Sequence, residues 1–270
     1  MWSKDSKQVV ACSAGFGRRP PVIYVWDLQV DDDGNNKLEE TGKVEFEQKP
    51  TQIFFCPDGT VLSSHADGSL SHWQFGDGKG TLLKSVKPHT ASLASFDIDL
   101  KQNEIITASA DHSAKLLSFP ALETIRTFPT DRNLNAAAML TMGGCRFVIV
   151  GGGQDARDVA LKSNAEAQFE ALLYPRDRCA DDGPLDMIAG PFGPLHCFAT
   201  FKEGDNFGFV SGSEDGCVRI HDLDSNYIQK VIKAAQDASY KSTFPITKSS
   251  TGSGETEGEN LPPPAADPSN

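Results

Sequence analysis

The chain has 270 residues, 39 % of them hydrophobic, which is enough to bury the core of one β-rich domain. Its net charge of −12 argues against a broad nucleic-acid-binding surface, because affinity for the phosphate backbone comes from many lysine and arginine side chains. Neither an apolar run of about 18 residues nor a signal-peptide pattern occurs in the sequence, so we expect a soluble cytoplasmic or nuclear protein without membrane contacts.

The first segment, up to about residue 46, contains a degenerate copy of a sequence repeat. Its opening residues are similar to the end of an inner strand and its turn, so we expect the chain to begin inside a repeat. Trp26 is followed by Asp27, the dipeptide typical of WD repeats, and Trp73 stands 47 residues later at the equivalent position. Arg18 and Arg19 lie in a segment that we interpret as a solvated loop. The alternative is that they contact RNA.

Hairpins with an aspartate in the turn recur along the chain. Each one joins an apolar run to a second alternating run across a small polar turn, which is typical of a β-hairpin. Asp67, Asp111 and Asp155 are spaced 44 residues apart, and Asp215 follows after a further 60. A period of about 40–45 residues predicts four-stranded propeller blades, with an insertion in the longer step.

Pro88-His89 stands where such repeats carry Gly-His. We predict a buried hydrogen-bond network of His89, Thr107 and Asp111 that fixes the turn to the preceding loop. The alternative hypothesis is that these three residues form a catalytic His-Thr-Asp arrangement. The blade spacing favours the structural interpretation, since nothing else in the sequence supplies an oxyanion site.

Two stretches in the middle of the chain depart from a generic blade. The segment around Asp131 and Arg132 lacks the expected Gly-His, and its polar side chains are candidates for partner contact. Residues 146–156 place Gly151 and Gly153 after an apolar strand, which resembles a dinucleotide-binding fingerprint. We favour a hairpin there, because Asp155 keeps the 44-residue register.

The last repeat begins at residues 190–194, where Pro191 takes the histidine position, so Asp215 needs another partner. A short amphipathic helix is expected after it, with Ile228, Val231 and Ile232 on one face. From residue 247 onward Ser, Gly, Glu and Pro dominate, which is typical of a disordered tail. The six cysteines contain no Cys-x-x-Cys pair, which favours buried, reduced thiols over a metal site, and no cofactor is expected.

The sequence therefore predicts an all-β WD-repeat β-propeller with about five blades, a short C-terminal helix and a disordered tail. The predicted boundaries are a partial propeller over 1–225, a helical extension over 226–245 and the tail over 246–270. The blades are expected at about 1–46, 47–87, 88–130, 131–189 and 190–225.

Several segments resemble subunit i of eukaryotic translation initiation factor three. They are GGGQDARDV at 151–159, QFEA at 168–171, GPFGPL at 190–195 and GSEDGCVRIH at 212–221. Residues 107–116 and 122–128 fit the same family, and the resemblance extends from about residue 8 to 240. The Gly-Gly-Gly-Gln and Phe-Gly-Pro segments are specific to this subunit, whereas the other segments also fit WD repeats at large.

The resemblance implies a seven-bladed propeller without catalytic activity, of which this chain would hold the last five blades. It further implies a scaffold that docks the b and g subunits, supports assembly of the preinitiation complex on the small ribosomal subunit and makes no sequence-specific nucleic-acid contact. Asp131 and Arg132 are then the candidate partner contacts. Alternatives are a WD-repeat adaptor in signalling and a dinucleotide-binding enzyme that uses Gly151 and Gly153.

Overall fold

The computed structural model describes residues 1–31, 33–153, 168–177, 183–204 and 206–237. Within these ranges the chain consists of strands and one helix, and no helix is long and apolar enough to cross a membrane. Asp155 and the predicted tail lie outside the described residues. Of the cysteines described, Cys56 is buried, but Cys12, Cys197 and Cys217 are exposed, so the prediction of buried thiols is wrong for these three.

The strands follow one another in short antiparallel runs. Their bounds are β1 Gln8–Ser13, β2 Val22–Val30, β3 Asn36–Glu45, β4 Pro50–Phe55, β5 Thr60–His65, β6 Leu70–Gly76, β7 Gly78–Val86, β8 Leu93–Asp99, β9 Glu104–Ser109, β10 Ser113–Ser118, β11 Thr124–Pro129, β12 Leu134–Met142, β13 Cys145–Gly152, β14 Ala171–Pro175, β15 Asp186–Ile188, β16 Leu195–Glu203, β17 Asn206–Ser213 and β18 Val218–Leu223. Helix α1 follows at Ser225–Gln236.

Hydrogen bonding groups these strands into blade-like units. Strands β8–β11 and β12–β15 form four-stranded sheets, and β16–β18 form a three-stranded one. Strands β1–β3 and β4–β7 are two further antiparallel units, joined through β3 and β7 into one seven-stranded sheet. Ahead of β1, Trp2 forms an antiparallel bridge with Val9, so the first residues lie beside the inner strand of their unit.

The junction between β3 and β7 is the one parallel pairing among the described strands. It matches Gly42 with Gly78 and Lys43 with Lys79. Gly80 is needed for this close approach, because a Cβ placed there would lie 2.2 Å from Cγ2 of Val44. The outer strands of the first two units are therefore hydrogen-bonded to each other.

Apolar side chains fill the space between successive units. Each of four buried clusters combines residues of one unit with residues of the next. Representative pairs are Val10 with Val61, Leu62 with Leu117, Leu116 with Val148, and Phe147 with Phe209. Face-to-face packing of this kind is what a ring of small sheets requires, since each sheet must bury both faces.

Polar side chains add specific links between neighbouring inner strands. The Gln52 amide donates to the Phe96 carbonyl at 2.9 Å and accepts from the Phe96 N–H at 2.8 Å. The Asp97 carboxylate accepts from the Met139 N–H at 2.9 Å. Burial raises the pKa of Asp97, because water no longer solvates its charged form. These bonds connect β4 to β8 and β8 to β12, which fixes the offset between units.

Helix α1 closes one end of the last unit. Its N-cap is Asp224, whose carboxylate accepts from the N–H groups of Asn226 and Tyr227 at 2.8 and 2.9 Å. Ile228 and Val231 are buried in the same cluster as Phe209, and Ile232 packs against that cluster. The amphipathic face predicted from the sequence thus packs on the chain's own sheets.

Candidate functional site

The turn aspartates occupy equivalent corners of different units. Asp67 lies in the turn between β5 and β6, Asp111 between β9 and β10, and Asp215 between β17 and β18. In the first two, Oδ1 accepts from both the N–H and the hydroxyl of the serine two residues on, Ser69 or Ser113, at 3.1 and 2.6 Å. In the third, Oδ1 accepts from the Cys217 N–H at 2.9 Å. One carboxylate oxygen therefore closes each hairpin.

His89 lies within hydrogen-bond distance of both Thr107 and Asp111. Nδ1 of His89 is 2.9 Å from Oδ2 of Asp111, and Nε2 is 2.8 Å from Oγ1 of Thr107. The His89 residue is 1 % exposed, so the network is shielded from water. The Thr90 N–H also donates to Asp111 Oδ2, at 3.1 Å. The arrangement links the loop before β8 to the turn after β9, and His89 presents neither ring nitrogen to solvent.

The environment of Asp111 favours its charged form. Burial by itself would raise the pKa of this carboxyl, but hydrogen bonds from His89 and Ser113 outweigh burial and hold the pKa well below its ordinary value. A carboxyl with a lowered folded-state pKa stabilises the fold above the unfolded-state pKa of about 3.9. This stabilisation disappears as the pH falls through the folded-state pKa.

We expect the free energy of unfolding to fall more steeply below pH 5 in the native sequence than in an Asp111→Asn variant. Between pH 5 and pH 3 the extra loss should be about 1 kcal/mol, since the carboxyl at position 111 binds a proton in the unfolded state but not in the folded state, and the asparagine has no such carboxyl. Urea unfolding at stepped pH values measures the difference. An exposed Asp222→Asn variant is the control, and parallel pH curves for the native and Asp111→Asn chains would contradict the assignment.

Asp215 has a different partner, because Pro191 takes the histidine position and has no side-chain hydrogen-bond donor. Arg219 donates from its two terminal nitrogens to Oδ1 and Oδ2 of Asp215 at 3.1 and 2.8 Å, and the Phe192 N–H donates to Oδ2 at 2.9 Å. The hydrogen bond from Arg219 is the main reason that the pKa of Asp215 lies below its ordinary value. The sequence did not single out Arg219. Its position opposite Ser211 on the hairpin follows only from the strand register.

The tryptophans and Asp67 have separate surroundings. The Trp73 indole N–H donates to Ser63 Oγ at 2.9 Å, and that hydroxyl is 2.9 Å from Nε2 of His65. Trp26 makes no such link and stacks on Tyr24, with ring centroids 5.2 Å apart. Asp67 Oδ2 lies 3.8 Å from the Lys87 ammonium. The second unit thus uses a Trp-Ser-His chain where the third uses His-Thr-Asp.

The second unit contains a further hydrogen-bond network that was not predicted from the sequence. Nε2 of His72 is 2.8 Å from Oγ1 of Thr60, and this hydroxyl donates to Oδ1 of Asp58 at 2.6 Å. Pro57, Asp58 and Gly59 are residue types typical of a turn. The participation of His72, fourteen residues after Asp58, depends on the pairing of β5 with β6.

Asp131 and Arg132 lie together at the segment that leads into β12. The Arg132 side chain is 5 % exposed, and its guanidinium donates to Oδ1 of Asp131 at 2.8 Å and to Oε2 of Glu170 at 2.9 Å. The carboxylates remain more accessible, with side-chain exposures of 19 % for Asp131 and 29 % for Glu170. Arg132 is thus held inside the chain, and the acidic side chains form the accessible part of this segment.

The glycines that resemble a dinucleotide fingerprint are packed against protein. A Cβ on Gly151 would lie 2.6 Å from a Leu195 methyl, and one on Gly153 would lie 2.7 Å from Cδ1 of Phe169. Gly151 belongs to β13, which pairs antiparallel with β12 and β14, and Gly153 directly follows that strand. Close approach of neighbouring strands explains these residues without a pyrophosphate. The described residues also contain no group of three His, Cys, Asp or Glu side chains placed to hold a metal ion.

Successive antiparallel units, three of them with a hairpin closed by a turn carboxylate, define this chain as a WD-repeat β-propeller protein, which confirms the predicted fold class. No protein-family model matches the chain. The chain nevertheless belongs to the family of eukaryotic translation initiation factor 3 subunit I, because it is 30 % identical to the Neurospora crassa protein of that name over 89 % of this chain and 68 % of that protein.

Other relatives with the same name support the assignment. The protein of Coccidioides immitis is 34 % identical over 84 % of this chain and 66 % of its own length. The protein of Bombyx mori is 32 % identical over 66 % of this chain and 51 % of its own length. The chain therefore spans about half to two thirds of the length of several relatives that it matches. The family resemblance noted from the sequence motifs is confirmed.

Proposed function

We propose that this chain is a non-catalytic scaffold subunit of the translation initiation factor three complex in the cytoplasm. In this role it docks the b and g subunits and supports assembly of the preinitiation complex on the small ribosomal subunit. The similarity to relatives named as subunit I of that factor is the observation that carries the proposal.

The geometry of the chain suits a scaffold. Hydrogen bonds to Asp67, Asp111 and Asp215 fix each hairpin turn, and those to the last two also fix the loop that precedes the unit. Loops fixed in this way bind a partner with little loss of conformational entropy. A ring of such sheets presents several loops on one rigid frame, which is the property that a docking subunit needs.

The Asp131–Arg132 segment is the proposed contact with a partner. Arg132 is satisfied by Asp131 and Glu170, so its role is to position these two carboxylates at the surface. Two accessible acidic groups held by one buried arginine suit a basic side chain on a partner helix or segment.

We expect affinity-tagged chain to retain the b and g subunits from a co-expression lysate at low salt. An Asp131→Asn variant should retain less of one subunit, because it removes an accessible charge without removing the pairing of Arg132 with Glu170. Asp222→Asn, an exposed charge change elsewhere, serves as the matched control. Failure of the native chain to retain either subunit would contradict the scaffold function, whereas equal retention by both variants would remove only Asp131 from the contact.

A further inference from the structure

Three arginines meet at the boundary between the third and fourth units, near the start of β13, whereas the proposed contact at Asp131 lies near the end of that strand. Arg126 lies on β11, Arg146 on β13 and Arg176 directly after β14. All three contact Asp177, and Arg146 and Arg176 also contact Glu104, the first residue of β9. We refer to Arg126, Arg146 and Arg176 as the arginine cluster.

The two acidic groups of the cluster differ in burial. The Glu104 side chain is 9 % exposed, and Arg176 donates to both of its carboxylate oxygens, with Nε 3.2 Å from Oε2. Arg146 adds a longer contact to Glu104 at 3.5 Å. The Asp177 side chain is 60 % exposed, and its Oδ1 lies 2.7 Å from Arg176 and 3.2 Å from Arg146. Glu104 is therefore the fixed structural partner, and Asp177 is held by solvent-screened contacts that contribute little.

Arg126 is the poorly satisfied member of the cluster. Among the described residues its one hydrogen bond runs from a terminal nitrogen to the Asp177 carbonyl oxygen at 3.4 Å. Its Nε is buried and has no hydrogen-bond partner among the described residues. A buried N–H of a charged group without an acceptor costs free energy that an incoming acceptor can recover.

The charges of the cluster do not cancel. Among the described residues, three guanidinium groups and two carboxylates make up this cluster, which leaves one positive charge there in a chain whose net charge is −12. We propose that the arginine cluster is a docking site for an acidic side chain, Asp or Glu, of a partner polypeptide. The incoming carboxylate displaces Asp177 from the partly exposed guanidinium of Arg146 and, as the Arg126 side chain reorients, gives Arg126 the acceptor that it lacks among the described residues.

The surroundings favour a carboxylate over a phosphate. Both anionic groups that the arginines already bind are carboxylates, and planar guanidinium groups pair with a carboxylate through two parallel hydrogen bonds. A phosphate dianion brings more negative charge than the cluster leaves uncompensated, and it would lie beside Glu104 and Asp177. The inference stands on this geometry and does not depend on the proposed role in initiation.

The test is fluorescence anisotropy of the full chain with a fluorescein-labelled hexaglutamate peptide at low salt, with hexaglutamine as the neutral probe. We expect binding of hexaglutamate that Arg126→Gln and Arg146→Gln each weaken about tenfold, the range for one charge-assisted hydrogen bond. Asp177→Asn should tighten binding several-fold, because it removes the competing internal carboxylate. Glu104 keeps Arg176 in each variant, so the fold is preserved, which circular dichroism verifies.

Arg19→Gln is the matched control, since it removes an exposed arginine in the loop before β2 and should leave the affinity unchanged. The proposal is overturned if the native chain binds hexaglutamate no better than hexaglutamine, or if Arg126→Gln and Arg146→Gln bind it as tightly as Arg19→Gln does. Tighter binding of inorganic phosphate or of a uridine oligonucleotide than of hexaglutamate would overturn the assignment to an acidic polypeptide. Retention of the b and g subunits is measured separately, so the two proposals fail independently.

Discussion

Replacing Gly152 by alanine should destabilise the protein by about 3 kcal/mol or more, the upper range for overpacking a core. A Cβ at this position meets the Asn133 carbonyl oxygen at 2.1 Å and Cα of Leu134 at 2.8 Å, and both are backbone atoms. Backbone within a paired strand cannot move aside without breaking its ladder. The added methyl group must therefore separate β12 from β13 at the edge where the Asp131–Arg132 segment begins.

Urea unfolding followed by tryptophan fluorescence measures this effect. Gly76→Ala is the matched control, because Gly76 also lies at a strand end but has no heavy atom within 4 Å of its would-be Cβ. We expect Gly76→Ala to change the free energy of unfolding by less than about 1 kcal/mol. A loss of unfolding free energy for Gly152→Ala no larger than that for Gly76→Ala would contradict the close packing of β12 against β13.

His89→Ala should cost about 2–4 kcal/mol of unfolding free energy, through the loss of buried volume and of two buried hydrogen bonds. The ring fills a site that is 1 % exposed, and its removal leaves Thr107 Oγ1 and Asp111 Oδ2 each without one partner. Loss of the ring also removes one link between the loop before β8 and the turn after β9, and leaves the hydrogen bond from the Thr90 N–H to Asp111.

Thermal and urea unfolding of His89→Ala, Asp111→Ala and the double variant measure the size and the coupling of the network. The two single effects should sum to more than the double effect by about 1 kcal/mol, because contacting residues share one interaction. His196→Ala, at a half-exposed histidine, is the control and should be nearly neutral. A loss below about 1 kcal/mol for His89→Ala, or strict additivity with Asp111→Ala, would contradict a network that stabilises the loop.

The repeat was predictable because its turn chemistry is local. An aspartate that bonds to the residue two positions on leaves its mark within a few residues, and so Asp67, Asp111 and Asp215 could be aligned from their spacing alone. His89 could be matched with Thr107 and Asp111 because the repeat itself fixes the distances between them along the chain. The all-β class followed from the same pattern.

The partner choices that break the repeat could not be predicted. Arg219 reaches Asp215 only because the register of β17 and β18 places it opposite Ser211, and a one-residue slip would turn it to the other face. Arg132 pairs with Glu170, which is 38 residues away across an insertion without repeat character. Arg146 and Arg176 belong to the fourth unit and pair with Glu104 of the third, again far apart along the chain. Long-range pairings of single charges leave no periodic signal in the sequence.

The parallel junction of β3 with β7 affects how the molecule behaves in a crowded solution. The last strand of a sheet normally presents a row of free N–H and C=O groups on which another chain can add a strand. Here the last strands of the first two units hydrogen-bond to each other at Gly42 and Gly78, so each covers part of the other's rim. The paired part of these two strands is thereby closed to strand addition by another chain.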